Sequence, residues 1–180
     1  MEFERTPIDG VILVKPTVWR DPRGYFVETW QQTRYMEIGI ALPFVQDNRS
    51  RSIKGTLRGL HFQRNFPQGK LVSVSRGSVF DVAVDIRKNS PTFGQWFGAE
   101  LTEENQHQMW VAPGLAHGFC VTSDVADFSY KCTEYYHPED DAGIRWNDPA
   151  IGIAWPIGTP ILSAKDENAP LLKDADLGGL

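Results

Sequence analysis

The chain has 180 residues, 41% of them apolar and 12% aromatic, a composition that suits one globular domain with a sizeable core and excludes disorder as the default. Its net charge of −5 argues against a sequence-independent nucleic-acid binder, which carries a basic excess. No apolar run approaches the ~18 residues of a membrane-spanning helix, and the N-terminal MEFERTPIDG lacks the basic and apolar regions of a secretory leader. Two cysteines, Cys120 and Cys132, make no disulfide framework and are expected as small buried hydrophobes. These features point to the cytoplasm, with neither nucleic acid nor membrane as partner.

Strand signals dominate the chain order. Residues 10–14 form a short apolar run, and the turn Asp21-Pro-Arg-Gly24 launches a second segment over 25–30. A helix of two turns is expected over 31–38, ahead of Gly39. Further strands are expected over 56–63, 70–76, 78–86, 96–101, 108–111, 118–121 and 127–135. In 71–75 the alternation puts Val72 and Val74 on one face, whereas the denser apolar pattern of 79–85 implies deeper burial. Arg76-Gly77 reads as a tight turn. One helical turn is expected at 102–105, and 166–180 reads as a short helix with a frayed tail. Many short strands with few helices imply an all-β sandwich, jelly roll or barrel, whose edge strands invite pairing with a second subunit.

Basic residues gather in one stretch: Arg49, Arg51, Lys54, Arg58, Arg64, Lys70 and Arg76. In an acidic chain this is either a site for one anionic ligand or a solvated face. His61 lies in Leu57-Arg-Gly-Leu-His-Phe-Gln63, where period two sets it with Gly59 and Gln63, opposite Leu60 and Phe62. That pattern fits a pocket-lining histidine and a hydrogen-bonded structural one equally well. His117 follows a Pro-Gly turn and precedes Gly118, which permits close backbone approach. Neither histidine has an H-x-H, H-x-x-x-H or C-x-x-C neighbour, so the local metal signal is poor and a site would have to draw its ligands from distant strands. Tyr130 shares a face with Phe128 and Cys132, a pattern most often met in a core tyrosine. Asp166, in Ser163-Ala-Lys-Asp-Glu-Asn168, reads locally as a helix start. No phosphate loop, dinucleotide fingerprint or nucleophile elbow is present.

Taken as an ordered set, the runs Asp21-Pro-Arg-Gly-Tyr-Phe-Val-Glu28, Phe44-Val-Gln-Asp-Asn-Arg-Ser50, Leu57 to Gln63, Gln68-Gly-Lys-Leu-Val72, Gly77 to Arg87, Pro113 to Phe119, Tyr130 to Tyr136, Ile144-Arg-Trp-Asn-Asp-Pro149 and Leu162-Ser-Ala-Lys-Asp166 resemble the dTDP-4-dehydrorhamnose 3,5-epimerase family over nearly the whole chain. The resemblance implies a single cupin-type jelly-roll domain, a homodimer that exchanges N-terminal strands, and neither a metal nor any other cofactor. It implies as substrate a dTDP-linked 4-keto-6-deoxy sugar, whose ketone acidifies the hydrogens on C3 and C5.

Residue by residue, the resemblance assigns His61 as the base and Asp166 as the carboxylate that orients it. An imidazole's ordinary pKa of ~6.5 suits proton transfer near neutrality. Tyr130 matches the acid on the opposite face and Lys70 the cation that holds the enolate oxygen. Arg23 and Arg58 match diphosphate contacts, for which the guanidinium fork is suited. Phe26 and Glu28 match thymine contacts, Gln46 and Asn48 nucleotide contacts, and His117 and Lys165 further ligand contacts. Asp141 stands where family members often carry Glu, which keeps the charge and shortens the reach. The rival readings are a mono-epimerase acting at C3 or C5 alone, a related ketoisomerase and a non-catalytic sugar-binding cupin; the full set of His61, Asp166, Tyr130 and Lys70 argues against the last.

Overall fold

Apolar alternation and glycine-rich turns fold the chain into a jelly roll of two antiparallel sheets. The computed structural model describes residues 1–180. In chain order the elements are β1 (Glu2–Arg5), β2 (Val11–Lys15), β3 (Val18–Asp21), β4 (Gly24–Val27), α1 (Gln32–Glu37), β5 (Gln46–Ile53), β6 (Leu57–Gln63), β7 (Lys70–Arg76), β8 (Ser78–Asp85), β9 (Trp96–Thr102), β10 (Gln108–Val111), β11 (Leu115–Val121), β12 (Val125–Cys132), β13 (Asp141–Gly143) and α2 (Ala164–Glu167), followed by a 3-10 turn at Leu172–Asp174. One sheet has the order β1-β2-β10-β7-β12-β5 and the other β13-β6-β11-β8-β9, while β3 and β4 form a separate ribbon. The all-β cupin-type expectation holds. No helix is long and apolar enough to cross a membrane.

The inner faces of the two sheets bury Val72, Val74, Val79, Leu101, Met109, Leu115, Phe119 and Phe128. Each fully buried side chain of this size contributes about 1.5–3 kcal/mol of transfer free energy. Two outer layers complete the molecule. Tyr35 of α1 and Ile38, which caps its C-terminus, cover Ile12, Val14, Leu71 and Trp110 on the first sheet. On the second, Ile144, Ile151, Leu172 and Leu177 of the C-terminal third cover Leu60, Phe62, Val82 and Val84. Burial on both faces explains why 79–85 reads as a dense apolar run rather than a clean alternation.

The β7–β8 turn requires glycine: Gly77 has φ +75°, and a Cβ there would lie 2.0 Å from the Val125 carbonyl oxygen. Both cysteines are free and buried. Helix α2 begins two residues before the expected start because Ser163 caps it, its Oγ accepting from the Asp166 N–H. The 102–105 segment is a turn, not a helix.

Candidate active site

At one end of the sandwich the apolar core stops at the stacked rings of Phe119 and Phe128, 4.0 Å between centroids, and polar side chains take its place. A cleft of about 400 Å³ opens there, bordered by Gln46, Asn48, His61, Lys70, Tyr130, Tyr136, Asp141 and Lys165. Beneath it a pocket of about 220 Å³ shares His61, Lys70 and Tyr130 and reaches Ser50, Arg58 and His117.

Strand β6 turns Leu60 and Phe62 outward onto the C-terminal cover, so His61 between them points inward. Close approach of β6 to β11 depends on Gly59: its φ is +125°, and a Cβ would meet Gly118 Cα at 2.6 Å and the His117 oxygen at 2.8 Å. His61 thereby sits directly opposite His117 in the strand register.

His61 Nε2–H donates to Asp166 Oδ1 at 2.5 Å. Asp166 is 3% exposed. Burial alone would raise its carboxyl, yet the hydrogen bond and charge of His61, with the Ser163 cap, hold it below the usual carboxylate range. With Nε2 committed to the carboxylate, Nδ1 is the nitrogen left to accept a proton. Across the cleft, burial pushes the Lys70 amine below the ordinary lysine range, against the pull of Cys132, Asp141 and Asp81. Burial raises the Tyr130 phenol, with the Cys132 thiol adding to the rise and Arg58 opposing it. Tyr130 therefore stays protonated and able to donate.

A second histidine–carboxylate pair lies one strand away. His117 Nε2–H donates to Asp81 at 2.9 and 3.1 Å to its two oxygens, and Asp81 is completely buried. Arg58 is steadied by donation from Nε to Ser52 Oγ at 3.1 Å. At the mouth of the cleft Asp141 Oδ2 accepts from Tyr136 OH at 3.0 Å and pairs with Lys165 Nζ. Gln46 and Asn48, joined by a 3.1 Å hydrogen bond, form the β5 side.

The sequence profile described as dTDP-4-dehydrorhamnose 3,5-epimerase matches residues 5–174. A relative of that name from Salmonella typhimurium is 54% identical over 174 residues, 95% of each chain. The Legionella pneumophila dTDP-6-deoxy-D-glucose-3,5-epimerase, solved in complex with dTDP-4-keto-L-rhamnose, superposes with a TM-score of 0.95 at 54% identity, over 97% of this chain and 94% of that one. The chain belongs to the dTDP-4-dehydrorhamnose 3,5-epimerase family. It is an isomerase. A dTDP-4-dehydrorhamnose 3-epimerase from Streptomyces niveus is also similar, 41% identical over 100% of this chain and 88% of its own.

Within this epimerase the fold brings ten of the thirteen residues singled out in the sequence to the cleft and the pocket beneath it: His61, Lys70, Tyr130, Asp166, Gln46, Asn48, Arg58, His117, Asp141 and Lys165. Arg23, Phe26 and Glu28 are not among them. The Arg23 side chain is 90% exposed and pairs with its neighbour Asp21 at 2.6 Å. Phe26 is 66% exposed and packs on Trp19 across the β3–β4 ribbon. Glu28 pairs with Arg34.

Sequence reasoning passed over Asp81, Ser50, Ser52 and Tyr136. Asp81 carries a usable signal: a carboxylate between Phe80 and Val82 in an apolar strand is costly to bury and needs a partner. The serines have no such signature.

Proposed function

We propose that the protein inverts both C3 and C5 of dTDP-4-dehydro-6-deoxy-D-glucose to give dTDP-4-dehydro-L-rhamnose, in dTDP-rhamnose biosynthesis. His61 Nδ1 takes the proton from the carbon next to the C4 ketone. The C–H electron pair moves onto the ketone oxygen, and the enolate is held by the Lys70 ammonium. The enolate collapses as the Tyr130 phenol delivers its proton to the opposite face of the same carbon. Solvent then takes the proton from His61 and restores that of Tyr130. A shift of the sugar ring brings the second carbon to the same groups. The observation that carries this reading is the 2.5 Å contact of His61 with buried Asp166 in one cleft with Lys70 and Tyr130.

In this reading Arg58 and His117 take the diphosphate, and Gln46, Asn48, Asp141 and Lys165 border the rest of the ligand. The exposure of Arg23 and Phe26 outside the cleft supports a homodimer in which the exchanged N-terminal segment carries these residues and Glu28 into the neighbouring copy's site. The free, buried cysteines suit a reducing cytoplasm. The ketone-stabilising machinery of Lys70 and the Tyr130 acid favour carbon acid chemistry over simple sugar binding.

The test is to incubate the protein with the 4-dehydro sugar nucleotide in heavy water and follow the sugar by NMR. Deuterium at both C3 and C5 is expected. Deuterium at one centre alone makes the enzyme a mono-epimerase like the Streptomyces niveus relative, and none at either sinks the reading. For the dimer, His61→Asn chains mixed with Arg23→Ala/Phe26→Ala chains should regain activity, because each hybrid then holds one intact site. Persistent inactivity would mean that the N-terminal segment serves its own chain or none.

A further inference from the structure

The carboxylate that orients His61 comes from a helix with almost nothing to hold it. Helix α2 spans four residues, and Asp166 is its only buried one. No apolar side chain of α2 packs against the barrel, so hydrophobic contact does not set the rotation of the helix. The flanking chain is tied down on both sides: Ile161 exchanges backbone hydrogen bonds with Gly55 and Leu57 ahead of β6, and the Arg145 N–H donates to the Pro170 oxygen. Between these anchors α2 has two side-chain contacts that aim it. One is Asp166, which accepts from His61 and from the Gly59 backbone N–H of β6. The other is Lys165 on Asp141.

Lys165 and Asp166 are consecutive, so they project about 100° apart around the helix axis. Fixing both directions fixes the rotation; fixing one leaves a swing. Asp141 is itself well placed to be the fixed end. It lies on β13, which pairs with β6 in the register Asp141↔Gln63 and Gly143↔His61. The path His61, Asp166, Lys165, Asp141 and back along β13 to β6 is therefore a closed ring. Tyr136 OH donates to the same Asp141 oxygen at 3.0 Å. That contact is the main reason the phenol's pKa lies above the ordinary tyrosine range, so it remains a donor and helps keep the carboxylate aimed at Lys165.

We propose that Asp141 is a positioning residue: by gripping Lys165 it fixes helix α2 and holds Asp166 in line with the His61 imidazole. The proposal rests on the assignment of His61 as the base. It departs from a direct sugar contact by Asp141, because its Oδ2 is already engaged by both Lys165 and Tyr136.

The two roles separate in kinetics. A substrate contact acts on KM, whereas a misaligned dyad acts on kcat. Misplacement of a catalytic group by about 1 Å costs up to about 10²-fold, so Asp141→Asn should lower kcat by about ten- to a hundredfold with KM, and the Kd of the inert analogue dTDP-glucose, within about threefold of the parent. Asp141→Glu should restore most of kcat.

Lys165→Met cuts the ring at its other side and keeps the test informative if Asp141→Asn folds poorly. The two changes act on one contact, so the double variant should be little worse than either single one. Asp141→Asn with kcat unchanged, or with KM raised and kcat intact, would overturn the proposal, as would additive losses in the double variant. Failure of the underlying assignment is read independently: if His61→Asn retains deuterium exchange, the base is wrong whatever Asp141 does.

Discussion

On the proposed mechanism, replacing Asp166 by Asn isolates the catalytic worth of the dyad. The substitution keeps the side-chain shape and removes the charge that faces His61 Nε2–H across 2.5 Å. In the resting enzyme the carboxylate is shielded from water at 3% exposure, so its attraction to the imidazolium formed on proton abstraction is only weakly screened. Two unit charges with centres about 4 Å apart interact by roughly 4 kcal/mol at an effective dielectric of about 20. The imidazolium exists only after the proton has moved, so this attraction lowers the barrier and not the ground state. At about 1.36 kcal/mol per decade, kcat should fall by about 10³-fold with KM nearly unchanged. The assay is deuterium incorporation at C3 and C5 by NMR, alongside the steady-state rate and a thermal melt to show that the variant is folded. A folded Asp166→Asn variant within tenfold of the parent kcat would refute the reasoning, because the buried charge would then contribute little to the transition state.

Other expectations follow from the same cleft. On the proposed mechanism Tyr130→Phe removes the acid and leaves the base, so deuterium should still wash into the unreacted sugar while inversion drops by about 10²–10⁴-fold; equal loss of both would remove Tyr130 from the acid role. In its proposed role Lys70 must be charged to hold the enolate, and burial pulls its pKa down while the Tyr130 pKa is pushed up. Activity should therefore be lost as pH rises through the lowered Lys70 pKa, before the phenol ionises. Lys70→Met should cost about 10²–10³-fold at neutral pH, and Lys70→Arg should move the alkaline limb upward; an unmoved limb assigns it elsewhere. Gly59→Ala puts a methyl 2.6 Å from Gly118 Cα at φ +125°. Strain and overpacking should together cost about 2–5 kcal/mol, seen as a melting point lower by roughly 5–15 °C; an unchanged melt would mean that β6 and β11 do not close as described.

Where the sequence was legible, apolar periodicity carried the information. Strands β7, β9 and β10 fall within a residue of their expected bounds because Val72, Val74, Leu101 and Met109 point into the core. Strand β5 escaped notice for the opposite reason. Its sequence is QDNRSRSI, and residues facing the site include Gln46, Asn48 and Ser50, so no hydrophobic alternation marks it. The same polarity that hides β5 equips it to border a ligand. Strands β1 and β3 are four residues each and largely exposed, and β13 has three; none buries enough apolar surface to leave a pattern. The chemistry was legible only through the ordered motifs. The His61–Asp166 contact spans 105 residues, and no local rule connects them.

The two histidine pairs show how one local geometry serves different ends. His61 and His117 face each other on adjacent strands, and each gives its Nε2–H to a buried aspartate. Asp81 lies on β8, hydrogen-bonded along its length to β11. The His117 pair is thus built within one sheet, and His117 keeps only 8% side-chain exposure. That setting suits its proposed contact with the diphosphate, a ligand charge that does not change during the reaction. His61 is 33% exposed, and its aspartate comes from outside both sheets, on a four-residue helix. In the proposed role of base for two carbons on one sugar, His61 gains from that looser tether, because small rotations of the imidazole can follow the ring. It also becomes more dependent on whatever aims the helix. The same architecture that permits adjustment at His61 makes its alignment vulnerable to the loss of a single ion pair at the rim.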